Sequence, residues 1–157
     1  MQLYRLISTR FARDLSGEGA RRYGGRWNPK GTAVLYTTTS VSLSILESLV
    51  HQPTTETFLS LALTTIEIPH DSEIQRLEPE DLPPGWQSYP PPGRLRDLGF
   101  AWVTKGETLG FEVPSALLPA NVSEKNVLLN PAHPDFQRVR IVEVQLLTLD
   151  ARLRRPA

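Results

Sequence analysis

Apolar residues fall along this chain in short runs separated by polar, Gly- and Pro-rich segments, and the period of each run predicts its element. Residues 2–7 alternate, with Leu3, Arg5 and Ile7 on one side and Tyr4 and Leu6 on the other, so they read as a strand. Residues 33–37 read as a short buried strand. From 40 to 51 the period lengthens to that of a helix. Val41, Ile45 and Leu49 line one face, and Leu43, Leu46 and Val50 widen it until little of the cylinder is left for water. Residues 57–68, rich in β-branched side chains and stopped by Pro69, are a predicted strand. Residues 95–105 are a predicted helix with Leu95, Leu98 and Trp102 inward, followed by short strands over 110–114 and 126–130. Residues 140–150 alternate again, as a strand that closes the sheet. Between these runs, 11–22 opens with a helical turn and ends in the small, flexible segment 16–20. Residues 69–94 are polar and proline-heavy, and are predicted as a long surface connection. The sum is α+β: one domain over 1–157, with short mixed or antiparallel strands and few helices.

Composition narrows the function. A chain of 157 residues is long enough to bury a substantial single core. Seventeen basic residues balance seventeen acidic ones, so bulk charge gives no support to a polyanion-binding role. The distribution is less even. The first thirty residues carry Arg5, Arg10, Arg13, Arg21, Arg22, Arg26 and Lys30 against Asp14 and Glu18. Arginine far outnumbers lysine, which suits bidentate recognition of phosphate or carboxylate. The absence of cysteine excludes disulfide and thiolate chemistry and fits a reducing compartment. No apolar run approaches membrane-spanning length and no signal-peptide core opens the chain, so a soluble, cytoplasmic protein is expected.

The stretch Gly24-Gly25-Arg26-Trp27-Asn28-Pro29-Lys30-Gly31 is the most constrained on the chain. Its glycines permit backbone conformations that other residues resist, and it offers a guanidinium and several N–H donors to an anion. Glu47, in the middle of an apolar helix, has to be paired, hydrogen-bonded or at work in a pocket. Metal chemistry is poorly supported, because His51, His70 and His133 stand far apart with no HExxH or acidic loop beside them. Neither a Walker nor a Rossmann glycine pattern occurs, and there is no Gly-x-Ser-x-Gly elbow. What remains is a set of polar residues at element ends: Arg26, Tyr36, Glu47 and Ser115, with Arg5 and Asn126 behind them. Each also has a plain structural reading. Glu47 can be salt-bridged to Arg26 or exposed, Tyr36 can be core with a satisfied hydroxyl, Ser115 can cap a turn, and Arg5 can reach water from an edge strand.

Taken together, residues 17–51 (GEGARRYGGRWNPKGTAVLYTTTSVSLSILESLVH), 111–119 (FEVPSALLP) and 126–136 (NVLLNPAHPDF) resemble the RES-domain toxins of RES–Xre toxin–antitoxin systems. The YRL at 4–6 and LDARL at 149–153 agree, so the likeness covers essentially the whole chain. The resemblance implies a fold like the ADP-ribosyltransferase domains, with NAD+ as substrate and no resident cofactor. It implies cleavage of the nicotinamide–ribose bond by phosphorolysis, with inorganic phosphate as co-substrate and ADP-ribose-1″-phosphate as product. By motif match, Arg26, Tyr36, Glu47 and Ser115 are the catalytic residues, and Arg5 and Asn126 join Arg26 and Tyr36 in binding substrate. The implied partner is a cognate Xre-type antitoxin, with a homo-oligomer or toxin–antitoxin hetero-oligomer possible and no membrane or direct nucleic-acid binding expected. The arginines at 10, 13, 21 and 22 offer that antitoxin an acid-seeking surface beside the turn. Two other readings stand beside this one. The first is a protein ADP-ribosyltransferase, disfavoured for arginine acceptors because positions 45–47 read Ile-Leu-Glu and not an acid pair. The second is a non-enzymatic, arginine-rich nucleic-acid-binding module.

Overall fold

The computed structural model describes residues 1–51 and 60–153. Its strands are β1 (Gln2–Ser8), β2 (Leu35–Thr38), β3 (Leu61–Glu67), β4 (Ile74–Arg76), β5 (Gly110–Pro114), β6 (Lys125–Leu129) and β7 (Arg140–Leu147). They form one sheet in the order β4-β5-β6-β2-β1-β3-β7. Every neighbouring pair is antiparallel except β4 with β5. Three α-helices accompany the sheet among the described residues: α1 (Glu18–Tyr23), α2 (Val41–His51) and α3 (Gly93–Lys105). The α+β class with a mixed sheet and few helices is as the pattern predicts.

Register decides which side chains meet. Tyr4 pairs with Thr38, Thr38 with Asn126, and Asn126 with Val113, so these positions share one face of the sheet. At the β1–β3 end of that face, Val41, Ile45 and Leu49 of α2 pack on Leu6, Leu61 and Leu63. At the β5–β6 end, Leu95 and Trp102 of α3 join Trp27, Phe111, Val113 and Leu128. Phe111 stacks on Trp102 at 5.3 Å and meets Trp27 edge-on at 6.0 Å, so the aromatic knot ties α3 to the Gly-rich turn. The opposite face buries Leu3, Leu35, Ile66, Val127 and Leu129, with Leu15 and Phe136 packed over them.

Four expectations need correction. Segment 16–20 is not a flexible linker, because α1 begins at Glu18, whose carboxylate takes Arg21 and Arg22 one turn on at 2.6 Å each. Segment 69–94 carries β4, and it buries Leu82 and Trp86 in the aromatic core, because proline-rich composition sets local conformation and not depth. Helix α2 is not buried all round, since Leu46 and Val50 face outward. Strand β7 is an edge strand whose alternation is broken by a register shift: Thr65 pairs with Glu143 and Ile66 with Ile141. Val142 is the extra residue of that bulge and is 51% exposed. The predicted strand over 57–68 is β3, and its first positions, 57–59, lie outside the described residues.

Candidate functional site

The site grows from Asn28. This buried amide donates from Nδ2 to the carbonyls of Ala20 (2.9 Å), Pro29 (3.1 Å) and Thr32 (3.0 Å), so one side chain ties α1 to the turn after it. Its Oδ1 accepts from the Tyr36 hydroxyl at 2.7 Å, and that hydroxyl accepts in turn from the Trp27 N–H at 3.1 Å. Burial pushes the Tyr36 phenol well above its ordinary range, while the Trp27 N–H and the Arg26 charge pull it back, so it stays protonated as a donor to Asn28. Gly25 is required here, since a Cβ would stand 2.6 Å from the Tyr36 oxygen and 2.8 Å from Asn28 Oδ1. Tyr36 is thus a strut of the turn, and its ring packs on the aromatic core.

With the turn fixed, Arg26 projects toward the 86–88 segment. Its Nη1 donates to Trp86 O at 2.6 Å and Ser88 O at 3.3 Å, and its Nη2 to Ser88 O at 3.3 Å. Those bonds involve three of the five N–H groups of a guanidinium and leave the Nε edge without a partner among the described residues. Partial burial opposes the Arg26 charge, and Glu47 and Tyr36 support it.

Glu47 faces the same region from α2. Its Oε1 accepts from Ser115 Oγ at 2.8 Å and from Asn126 Nδ2 at 2.7 Å. Ser115 sits just past β5, and its Oγ also accepts the Leu117 N–H at 3.1 Å, which commits its proton to Glu47. Asn126 is on β6, on the face that α2 covers. A carboxylate held this way through one oxygen has little rotational freedom. The other, Oε2, has His51 Nε2 at 3.8 Å, beyond hydrogen-bond length. The side chain keeps 23% of its exposure, so Oε2 is reachable by a ligand.

The structure therefore brings Arg26, Tyr36, Glu47, Ser115 and Asn126 to one face of the sheet. It does not bring Arg5 there. Arg5 lies on the other side of β1 from Tyr4 and Leu6, and its Nη1 donates to Asp14 O at 2.6 Å. Burial presses its pKa down, and Asp14 supports the charge. Strand alternation is the reason: adjacent residues point to opposite faces, and Tyr4 takes the face toward α2. The basic patch is also smaller than its sequence suggests, because Arg21 and Arg22 share Glu18 and Arg10 lies over the Phe11 ring at 4.9 Å.

Pattern reading missed Arg96 of α3. Its Nε donates to Gly25 O at 3.3 Å, and its charge reaches Tyr36. The available signal was Gly99, one helical turn on, because a glycine on the inward face of a helix marks a close approach. A Cβ at Gly99 would stand 1.8 Å from Trp27 O.

Comparison with known proteins agrees with this architecture. Residues 2–151 match the family model described as RES domain. A protein named Toxin Res from Yersinia enterocolitica is 46% identical over 138 residues, 87% of this chain and 88% of that one. A protein named Prs ADP-ribosylating toxin, from a Sphingobium species, is 37% identical over 149 residues, 93% and 90% of the two chains. Among solved structures, the crystal structure of the M. tuberculosis MbcT–MbcA toxin–antitoxin complex superposes with a TM-score of 0.75 at 21% identity. The match covers 94% of this chain and 84% of that one, a likeness of fold.

Proposed function

The chain belongs to the RES domain family, and from that premise we propose that it is the toxin of a toxin–antitoxin pair and acts by cleaving the nicotinamide–ribose bond of NAD+. The observation that carries the chemistry is Glu47, clamped through Oε1 by Ser115 and Asn126 with Oε2 left available. When the C1″–N bond breaks, its electron pair leaves with nicotinamide, which departs neutral, and positive character builds on the ribose. A fixed carboxylate stabilises that charge with little reorganisation. The acceptor then forms the new bond at C1″. With inorganic phosphate as acceptor, the product is ADP-ribose-1″-phosphate and the phosphate proton passes to solvent. Arg26 offers its Nε edge to phosphate oxygens, and Tyr36 and Asn28 hold the turn that aims it. NAD+ is substrate in this scheme, and no cofactor is needed. The partner is a cognate antitoxin of the Xre type, and the toxin acts in the cytoplasm.

One specific observation favours a second reading, transfer of ADP-ribose to a protein: the Sphingobium relative is named an ADP-ribosylating toxin. Against an arginine acceptor, the position two before Glu47 is Ile45, packed with α2 on the sheet, so no second acid stands there. The experiment is to incubate pure protein with NAD+, with and without phosphate, and weigh the products. Free nicotinamide with ADP-ribose-1″-phosphate appearing only with phosphate is expected. Glu47→Gln, which keeps shape and removes charge, should lower turnover by about two orders of magnitude or more. Full turnover in that variant would make Glu47 structural.

A further inference from the structure

The motif match makes Arg5 of β1 a second substrate-binding arginine beside Arg26, and the structure places Arg5 on the far face of the sheet. A different guanidinium stands beside the turn. Arg96 is exposed on α3, and its Nε–H is anchored on Gly25 O, the residue before Arg26. Its charge reaches the Tyr36 hydroxyl that braces the same turn. Helix α3 is closely seated at this position. Gly99, three residues on and on the same helix face, seats directly on the Trp27 carbonyl, and Trp102 stacks on Phe111 beneath it.

The two arginines are complementary in what they leave open. Arg26 commits its Nη groups to Trp86 O and Ser88 O and keeps the Nε edge. Arg96 commits Nε and keeps both Nη groups, with no hydrogen bond or ion pair to them among the described residues. An Nη1–Nη2 end is the fork that grips two oxygens of one phosphoryl group. No carboxylate is bonded to Arg96 among the described residues, unlike Arg21, Arg22, Arg138, Arg140 and Arg152. We propose that Arg96 is the second anion anchor of the site, its free fork facing the phosphoryl oxygens of the substrates alongside Arg26. This rests on the NAD+ reading above, and names a substrate-binding residue for it. The phosphoryl group comes either from the diphosphate of the dinucleotide or from the phosphate acceptor.

Binding and turnover separate these cases. The variants are Arg96→Gln, which removes the charge, and Arg96→Lys, which keeps it without the fork. Both change an exposed side chain, so melting temperatures near wild type are expected. Calorimetry with ADP-ribose and steady-state titration with phosphate are then run on each. Loss of at least about tenfold in ADP-ribose affinity, with partial recovery in the lysine variant, assigns Arg96 to the diphosphate. A comparable rise in half-saturating phosphate, with ADP-ribose affinity kept, assigns it to the acceptor. If both quantities match wild type in Arg96→Gln while wild type cleaves NAD+, the anchor is wrong and the NAD+ reading survives. If wild type neither cleaves NAD+ nor binds ADP-ribose, both fall together.

Discussion

At Arg26, three N–H groups hold the 86–88 segment and the Nε edge points away from it, so one side chain both braces a loop and offers an anion contact. Lysine cannot do both. It keeps the charge, but a single ammonium lacks the planar geometry to bridge Trp86 O and Ser88 O while presenting two parallel donors. Arg26→Lys should therefore raise the KM for NAD+ by about tenfold or more, a loss on the scale of one charge-assisted hydrogen bond. Steady-state kinetics against wild type checks this, and an unchanged KM would discard the bidentate role. Glu47 follows similar logic: its partners Ser115 and Asn126 come from two other strands' ends, so its aim depends on neighbours distant in sequence.

Helix α3 matters to the site because of how closely it approaches the turn. The contact of Gly99 with Trp27 O leaves no room for a methyl group. Two effects compete in Gly99→Ala. Alanine favours the helix by about 1 kcal/mol, while forcing a rigid backbone contact apart costs about 1–3 kcal/mol. A Cβ at 1.8 Å from a carbonyl oxygen belongs at the upper end of that cost, so the steric term wins. For a domain of this size each kcal/mol moves Tm by about 2–4 °C. The variant should melt several degrees below wild type, and its displaced α3 should weaken ADP-ribose binding as well. A thermal melt at or above wild type would mean that α3 slides freely over the turn. Helix α2 makes a looser demand, since it presents Val41, Ile45 and Leu49 to the sheet while Leu46 and Val50 remain outside.

Across the whole molecule, the proposed site joins pieces from both halves of the sheet's α-covered face: the turn after α1, α2, the end of β5, β6, the 86–88 segment and α3. A ligand bridging them binds the native state and not the unfolded chain, so it stabilises by mass action. ADP-ribose at a hundredfold excess over its Kd should add about 2.7 kcal/mol and raise Tm by roughly 5–10 °C. Differential scanning fluorimetry across an ADP-ribose series tests this. A flat Tm across the series would mean that ADP-ribose does not bind the native protein.

Local pattern determined a good deal by itself. Period and punctuation placed β1, β2, α2, α3, β5 and β6 within a few residues, because alternation and helical spacing are properties of neighbouring side chains. The candidate residues Arg26, Tyr36, Ser115 and Asn126 were also legible, as polar residues near the ends of apolar runs, and Glu47 as a carboxylate inside one. Helix α1 was hidden by Gly19 and by Ser16 and Gly17 just ahead of it, and it is held by Glu18 with Arg21 and Arg22 and by the Asn28 amide on Ala20 O. The burial of Trp86 was hidden by the prolines around it. Which arginine stands beside Arg26 depended on tertiary structure alone. Local alternation puts Arg5 opposite Tyr4 and Leu6 on β1, but which face of the sheet carries the site is decided by where α2 and α3 pack. Strand alternation sends Arg5 to the far face, and the packing of Gly99 on Trp27 brings Arg96 to Gly25 across 71 residues of chain.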